Sequence, residues 1–172
     1  MAGGSVMGND WKFWVKKRRA WAMPDQEFHA VMQLPKATRY SYFVKRVADW
    51  RYLWGLYSEE EDRWCVAGCS AEEQIVFPLW PHPRYAQAMA VDNWAGARPE
   101  PIPLSEWLAE DLPEWEQQSW LVGVFLVNQD DSGLDGIVVP PRKLAEDIAG
   151  ELMRYEDFGK FERILKRVGL LE

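Results

Sequence analysis

The sequence has few of the residues that form metal centres or disulfides. Among 172 residues there are two histidines and two cysteines, whereas a structural zinc site takes four Cys or His ligands. Cys65 and Cys69 lie in a predicted strand, and four strand residues span about 13 Å, which is too far for a disulfide. His29 and His82 are the only further nitrogen ligands. We therefore expect reduced, apolar thiols, with no metal and no cofactor.

The chain also lacks a long hydrophobic run. The longest run, Trp120 to Val127, is much shorter than the roughly 20 residues of a membrane-spanning helix. The first residues do not show the charged and then apolar pattern of a signal peptide. Apolar residues make up 48% of the chain and charged residues 27%, which is typical of a folded domain. These features predict a folded, cytoplasmic protein.

Familiar catalytic motifs are missing as well. There is no glycine-rich phosphate loop, nucleophile elbow or paired-histidine zinc helix. Asn128, Asp130, Ser132 and Gly133 match the first half of a calcium loop, but Val139 stands where a bidentate Glu is needed. We therefore expect a polar turn at this point and a protein that is not an enzyme.

One enzymatic alternative stays open. Acidic side chains near Trp107 and Trp115 would provide a general acid and base for a small hydrolase-like enzyme. They are Glu106, Glu110, Asp111, Glu114 and Glu116. A nucleophile and base from Cys69, Ser70 and His82 requires that the fold bring these residues together.

Charge is distributed unevenly along the chain. Residues 1–51 contain ten Lys or Arg against four Asp or Glu, and residues 158–172 contain four against two. Residues 52–157 contain six basic and twenty-one acidic residues, and the net charge of the chain is −7. An acidic central part argues against nucleic-acid binding there and favours a basic partner.

Residues 1–21 are predicted to form an N-terminal arm, whose first residues resemble an expression remnant. The arm combines Trp11, Phe13 and Trp14 with a basic run. The run consists of Lys16, Lys17, Arg18 and Arg19. We favour docking of the aromatic side chains on the domain. The alternative is a nucleic-acid contact, since basic and aromatic side chains suit phosphates and stacked bases.

Hydrophobic periodicity predicts a single α/β (α+β) domain over residues 22–157. In an N-terminal helical pair, a helix at 25–32 is followed, after Pro35, by a second helix with Tyr40, Phe43, Val44 and Val47 on one face. From Trp50 the period changes to two, which predicts a meander whose first hairpin has an acidic tip at 59–62 and a returning strand at 64–67. A central strand at 120–127 and a closing helix come later in the chain. We expect a mixed sheet of about five strands flanked by helices. Pro78 indicates an edge strand or a bulge, and residues 99–103 an extended edge. Residues 158–172 are predicted to form an amphipathic C-terminal helix.

The chain is rich in tryptophan, with eleven residues. One small core cannot easily bury so many indoles with every N–H paired, so we expect some to be partly exposed. Aromatic anchors inside an acidic rim are typical of a surface that binds a basic protein. Trp115 is our first candidate anchor because it follows Pro113 in a polar stretch. The predicted site comprises Glu59, Glu60, Glu61, Asp62, Trp107, Glu114, Trp115 and Glu116.

A series of motifs from about residue 52 to 156 resembles a known family. The motifs are Trp54-Gly55-Leu56, Trp64, Phe77-Pro78-Leu79-Trp80, Tyr85-Ala86, Asn93-Trp94, Pro101 to Leu108, Leu121 to Val124 and Pro140 to Leu144. Together they resemble the small bacterial family called domain of unknown function 2750, and are distantly similar to SseB-like proteins. The resemblance implies a small α/β domain and no known catalytic residues. Related folds occur among immunity and secretion-associated proteins.

The sequence thus predicts a non-enzymatic binding protein of immunity or adaptor type. It presents an acidic, Trp-rich surface to a basic protein partner, such as a toxin. The alternatives are the hydrolase-like enzyme and a nucleic-acid-associated protein that acts through its basic termini.

Overall fold

The computed structural model describes residues 22–69, 74–130 and 133–172. The helices are α1 (Asp25–Met32), α2 (Lys36–Trp50), α3 (Pro83–Ala88), α4 (104–117), α5 (Pro141–Leu152) and α6 (Gly159–Arg167). The strands are β1 (Tyr52–Ser58), β2 (Arg63–Trp64), β3 (Ala67–Cys69), β4 (Gln74–Leu79), β5 (Arg98–Pro103), β6 (Leu121–Gln129) and β7 (Gly133–Val139). The predicted α+β class with a mixed sheet is confirmed. The predicted N-terminal arm lies outside the described residues.

The N-terminal helical pair begins at two prolines. Pro24 and Pro35 precede α1 and α2 with extended backbone angles, which suit the residue before a helix. The apolar stripe of α2 faces the core as predicted, with Phe43 and Val47 fully buried. Arg51 then takes a left-handed conformation at φ 69° and ends the helix.

The strands are divided between a sheet of three, in the order β2-β1-β5, and a sheet of four, in the order β3-β4-β6-β7. Strands β4 and β6 are parallel, and the other pairs are antiparallel. Trp54 and Trp80 join the two sheets through reciprocal backbone hydrogen bonds of 2.9 and 2.8 Å. The predicted returning strand at 64–67 is also divided. Its first part pairs with β1 and its last part with β4, so Cys65 and Val66 carry the chain from one sheet to the other.

The prediction for Pro78 is wrong in one respect, because β4 is an internal strand. Strand β3 pairs only with Gln74–Val76, so it has ended before Pro78. The missing N–H therefore removes no hydrogen bond on that side. The other proline-rich segment is an edge as predicted, since β5 is the outermost strand of its sheet.

Strand β6 is central as predicted, but a bulge between Val124 and Val127 shifts its register against β7. Phe125 takes a φ of 51° at this point. The bulge turns Leu126 onto the glycines of the two paired strands. A Cβ at Gly123 would lie 2.8 Å from Leu126 Cδ1, and a Cβ at Gly136 would lie 2.5 Å from Leu126 Cδ2. Both glycines are therefore required by the packing of one leucine.

The bulge frees backbone carbonyl groups inside the core, and two side chains bind them. Arg39 Nε donates to the oxygen of Phe125 at 3.3 Å, and Trp80 Nε1 donates to the oxygen of Leu126 at 2.9 Å. Arg39 is 1% exposed, and it also donates to the Leu34 oxygen at 2.6 Å and to the Asp135 carboxylate at 2.8 Å. This arginine therefore holds α2, β6 and β7 together.

Helix α4 passes Pro113 without ending. Its π-helical segment, Trp107–Asp111, lies between the α-helical segments Leu104–Glu106 and Leu112–Gln117. The N–H of Leu112 bonds to the oxygen of Trp107. The wider turn lets the chain accommodate a residue that has no N–H to donate.

The C-terminal helix α6 packs on the same core, in which it buries Phe161 and Leu165. The guanidinium of Arg51 binds both carboxylate oxygens of Asp157, at 3.0 and 2.6 Å, and lies 4.8 Å from the ring of Phe161. Hydrogen bonding from Arg51 holds the pKa of Asp157 below its ordinary value. The end of α2 is thereby tied to the segment before α6.

Candidate functional site

The predicted acidic tip is the turn between β1 and β2. All four of its residues, Glu59 to Asp62, are exposed. Glu59 accepts from Arg98 at 2.9 Å, Glu61 accepts from Arg63 at 2.6 Å, and Asp62 accepts from the hydroxyl of Tyr57. Within the part of the chain that the structure describes, Glu60 makes no ion pair. The tip therefore directs at least one unneutralised carboxylate to solvent.

A depression of about 360 Å³ lies between this tip, β2 and the 3-10 turn Asp92–Trp94. We call it the acidic groove. Its lining residues are Ser58, Glu60, Glu61, Arg63, Trp64, Cys65, Val66, Asn93, Trp94, Ala95 and Ala97. The groove thus joins the acidic tip to two half-buried tryptophans, which are not the tryptophans that the sequence singles out.

Trp64 is held in place by a glycine beneath it. A Cβ at Gly55 would lie 2.8 Å from Trp64 Cζ3, so the indole occupies the space that any other residue would fill. Phe77 packs on the indole at 5.5 Å and Tyr57 meets it edge-on at 5.6 Å. The indole has a preorganised position while part of its surface stays in contact with water.

Trp94 lines the same groove from the 3-10 turn. Its ring meets the fully buried Trp80 edge-on, with centroids 6.1 Å apart. Backbone hydrogen bonds close the turn on both sides, from Trp94 N to Val91 O at 2.9 Å and from Ala97 N to Trp94 O at 3.1 Å. The second indole is therefore also anchored from within the core.

The charge around the groove is predominantly negative. The lining of the groove contains Glu60, Glu61 and Arg63. The tip, β2, the 3-10 turn and β5 together carry six carboxylates and two guanidinium groups, from Arg63 and Arg98. The carboxylates are Glu59, Glu60, Glu61, Asp62, Asp92 and Glu100. Arg98 is itself held by Glu59 and Glu100 and lies 5.4 Å from the ring of Tyr57. The local field therefore attracts cations.

Cys65 lies in the wall of the groove and is 9% exposed. Burial, reinforced by the charge of Glu61, raises the pKa of its thiol. A raised pKa keeps the sulfur protonated, which is the opposite of nucleophile activation. The predicted role of Cys65 as a small buried apolar residue is confirmed, whereas the side chain of Cys69 lies outside the described residues.

The expectation that Trp115 is an exposed anchor is wrong. Trp115 is 4% exposed and Trp107 is 0% exposed. Trp115 stacks on Phe77 at 4.3 Å and meets Trp107 at 6.0 Å. The reason is that α4 continues through Pro113, so the residue after the polar stretch turns inward on the helix. Through Phe77, Trp115 supports Trp64 from below.

The two glutamates predicted beside Trp115 do not line the acidic groove. Glu114 is exposed on α4. Glu116 accepts two hydrogen bonds from Arg142, at 3.0 and 2.8 Å, which ties α4 to α5. The basic run Lys16 to Arg19 lies outside the described residues.

Of the residues of the enzymatic alternative, four acids of α4 lie near one another, and neither they nor His82 line the acidic groove. Burial, followed by the charges of Glu106, Glu114 and Glu110, raises the pKa of Asp111 to about 6. His82 is 1% exposed, and its Nδ1 accepts the N–H of Arg84 at 3.1 Å as the cap of α3. Ser70 lies outside the described residues.

Within the described residues, no group of three or more His, Cys, Asp or Glu side chains is placed to hold a metal ion. In the same ranges, no helix has both the length and the apolar character that a membrane span requires.

The predicted site does not include Trp64, Trp94 or Val66, which all line the groove. Trp94 follows Asp92 and Asn93 in a short polar segment that has no helical or strand periodicity. This position could have indicated that its side chain is partly exposed. Val66 carries no such signal, because its 38% exposure arises where the chain changes sheets. Only the division of the returning strand places it there.

The comparisons with known proteins give one match. No curated protein and no solved structure matches the chain. The family described as protein of unknown function (DUF2750) matches residues 40–148. This segment runs from α2 to α5 and includes both sheets and the acidic groove. The match covers more than half of the 172 residues, and the chain therefore belongs to the DUF2750 family.

Proposed function

We propose that this chain is a non-enzymatic binding protein, of immunity or adaptor type, which takes a basic protein partner into the acidic groove in the cytoplasm. The observation that carries the proposal is that Trp64 and Trp94, from two different elements, line one depression together with Glu60 and Glu61 of the acidic tip. A toxin with a basic surface is one such partner.

The electrostatic part of the proposal rests on the excess of carboxylates around the groove. Complementary charge across an interface chiefly raises the association rate and makes it dependent on salt. Glu60 is exposed and makes no ion pair with the described residues, so it loses no existing partner when a cation approaches. Neutralisation of the tip should therefore slow association more at low salt than at high salt.

The aromatic part rests on the two anchored indoles. Tryptophan is prominent among residues that contribute most to binding, and a rigid side chain loses little conformational entropy on association. Trp64 and Trp94 are each half-buried and held from below. Truncation of either should mainly raise the dissociation rate.

The test is capture of partners from an extract of the native host by the full-length chain, followed by identification with mass spectrometry. Capture is compared with a tip variant, Glu59→Gln, Glu60→Gln, Glu61→Gln and Asp62→Asn. The matched control is Asp49→Asn, Glu146→Gln, Glu156→Gln and Glu172→Gln. Its four acids are exposed and lie away from the groove, so both variants lose the same charge.

We expect at least one basic protein that is lost with the tip variant and retained with the control. Surface kinetics with that protein at two salt concentrations should show the predicted effects on association. A partner whose binding is unchanged by substitution of the tip, of Trp64 and of Trp94 contradicts the proposal. Loss of capture only when Lys16 to Arg19 are replaced by Gln, with nucleic acid in the captured fraction, favours the alternative of a nucleic-acid-associated protein.

A further inference from the structure

A second depression adjoins the acidic groove. It has a volume of about 320 Å³, and the two depressions share Val66, Asn93 and Trp94. The other lining residues of the second depression are Ala67, Gly68, Met89, Val91, Asp92, Asn128, Gly133 and Leu134. We call it the apolar depression. Trp94 and Val66 therefore stand between two neighbouring cavities on one surface.

The two cavities differ in chemistry. The acidic groove is lined by Glu60, Glu61 and Arg63, whereas Asp92 is the one charged residue among the described residues that line the apolar depression. Val91 is 43% exposed and Leu134 is 46% exposed, and both are among the most exposed large apolar side chains of the described residues. Exposed apolar groups beside a polar rim are typical of a contact surface. A ligand that covers both cavities needs a cationic group next to an apolar group.

The wall between the cavities also adjoins the edge of a sheet. At Val66 the chain has left β1 and has not yet joined β4, and the residue is 38% exposed. The strand that follows it, β3, is the outermost strand of the four-stranded sheet. Open backbone groups on a short edge strand are a template for an added strand.

From these three features we infer that the groove takes an extended segment of the basic partner, which lies along Cys65–Gly68 and places a basic side chain in the acidic groove and an apolar side chain in the apolar depression. In an extended segment, residues i and i+2 lie on one face about 7 Å apart. The recognised pattern is therefore a basic residue and an apolar residue separated by one residue, rather than by the three or four of a helix. This inference rests on the proposed function and specifies the form of its partner.

The inference is tested with three fluorescein-labelled peptides that contain the same numbers of lysines and leucines, with threonine spacers in the first two. In the first peptide, lysines and leucines share one face of a strand. In the second they lie on opposite faces, and in the third they follow helical spacing with alanine spacers. Fluorescence anisotropy with the full-length chain gives the affinities. The measurements are repeated in a background with Lys16, Lys17, Arg18 and Arg19 replaced by Gln, so that the chain's own basic run does not compete.

We expect the first peptide to bind at least about tenfold more tightly than the other two, which corresponds to about 1.4 kcal/mol. N-methylation of alternate backbone amides should abolish that advantage if strand pairing contributes. Leu134→Ser should weaken the first peptide and have no effect on a version without leucine. The matched control is Val138→Ser on β7, where the side chain is 47% exposed and lines neither cavity.

Equal binding of the three arrangements, or no binding of any, overturns the inference. That result is distinguishable from failure of the proposed function. If a captured protein still depends on the acidic tip while the peptides do not bind, the partner docks through a folded surface, and only the extended segment is wrong. If capture does not depend on the tip, the proposed function itself is wrong.

Discussion

The bulge in β6 and the acidic groove use similar residues in opposite ways. At the bulge, Arg39 and Trp80 donate hydrogen bonds to backbone oxygens inside the core. At the groove, Trp64 and Trp94 are also supported from the core, but part of each indole and most of the nearby carboxylates face water. A polar group that is satisfied internally contributes to stability, whereas one that is held in place and left open is available to a partner. The difference separates the residues that fold this domain from those that we expect to bind.

The largest effect is expected at Arg39. Arg39→Met leaves the oxygens of Phe125 and Leu34 without this donor and removes the partner of Asp135 inside the domain. Breaking a buried pair on one side costs about 3 kcal/mol or more. Urea unfolding followed by circular dichroism measures the change in free energy.

The control for Arg39 is Lys45→Met on the exposed side of the same helix. Exposed substitutions of this kind change stability by about 0.5 kcal/mol or less. Equal unfolding midpoints for the two variants would show that the bulge does not depend on the arginine.

A smaller loss is expected at Gly136. In Gly136→Ala the new Cβ would lie 2.5 Å from Leu126 Cδ2 and 3.2 Å from both Leu126 Cα and the oxygen of Val124. Two of these contacts are with backbone, so rotation of one side chain cannot relieve them. We expect a loss of about 2 kcal/mol, in the range for overpacked cores, measured by the same denaturation.

Gly150→Ala is the matched control for Gly136→Ala. Gly150 is exposed in α5 and a Cβ there meets no atom within 4 Å. Alanine in a helix should stabilise the domain by about 0.5 kcal/mol or more. A change of the same sign in both glycine variants would contradict the packing described for Leu126.

The smallest loss of stability is expected at Gly55, where substitution by alanine affects a residue that lines the groove. In Gly55→Ala the Cβ meets the edge of Trp64, 2.8 Å from Cζ3 and 3.0 Å from Cε3. Since this indole is half-exposed, it can shift outward, and we expect a cost of about 1 kcal/mol. The association of a captured partner should nevertheless weaken, because the indole is no longer held in one position. If the variant displaces Trp64 but keeps full affinity for the partner, Trp64 is not part of the binding surface.

Much of the fold was predictable from periodicity. The helical stripe of α2, the two-sided apolar run of β6 and the spacing of Leu144, Ile148 and Leu152 in α5 each predict an element that the structure contains. The acidic tip was predictable too, because a run of four acids between alternating strands suits an exposed turn. In these segments local pattern and tertiary burial agree.

Other features depended on contacts that are distant in sequence. Trp115 was predicted to be exposed because its neighbours are polar, but the π-helical segment carries α4 past Pro113 and turns the indole onto Phe77. Pro78 was predicted on an edge strand, but β3 ends before it can pair there. Neither outcome can be read from neighbouring residues.

The sequence by itself determined the α+β class, the family and the excess of acid in the central part of the chain, because composition and periodicity act locally. Only the tertiary structure decided which tryptophans reach water. Trp94 and Trp64 line the same groove. The chain passes from one sheet to the other at Cys65 and Val66, and the 3-10 turn that carries Trp94 lines the groove together with these two residues. Burial of an indole is set by the elements that pack around it, and these come from distant parts of the chain.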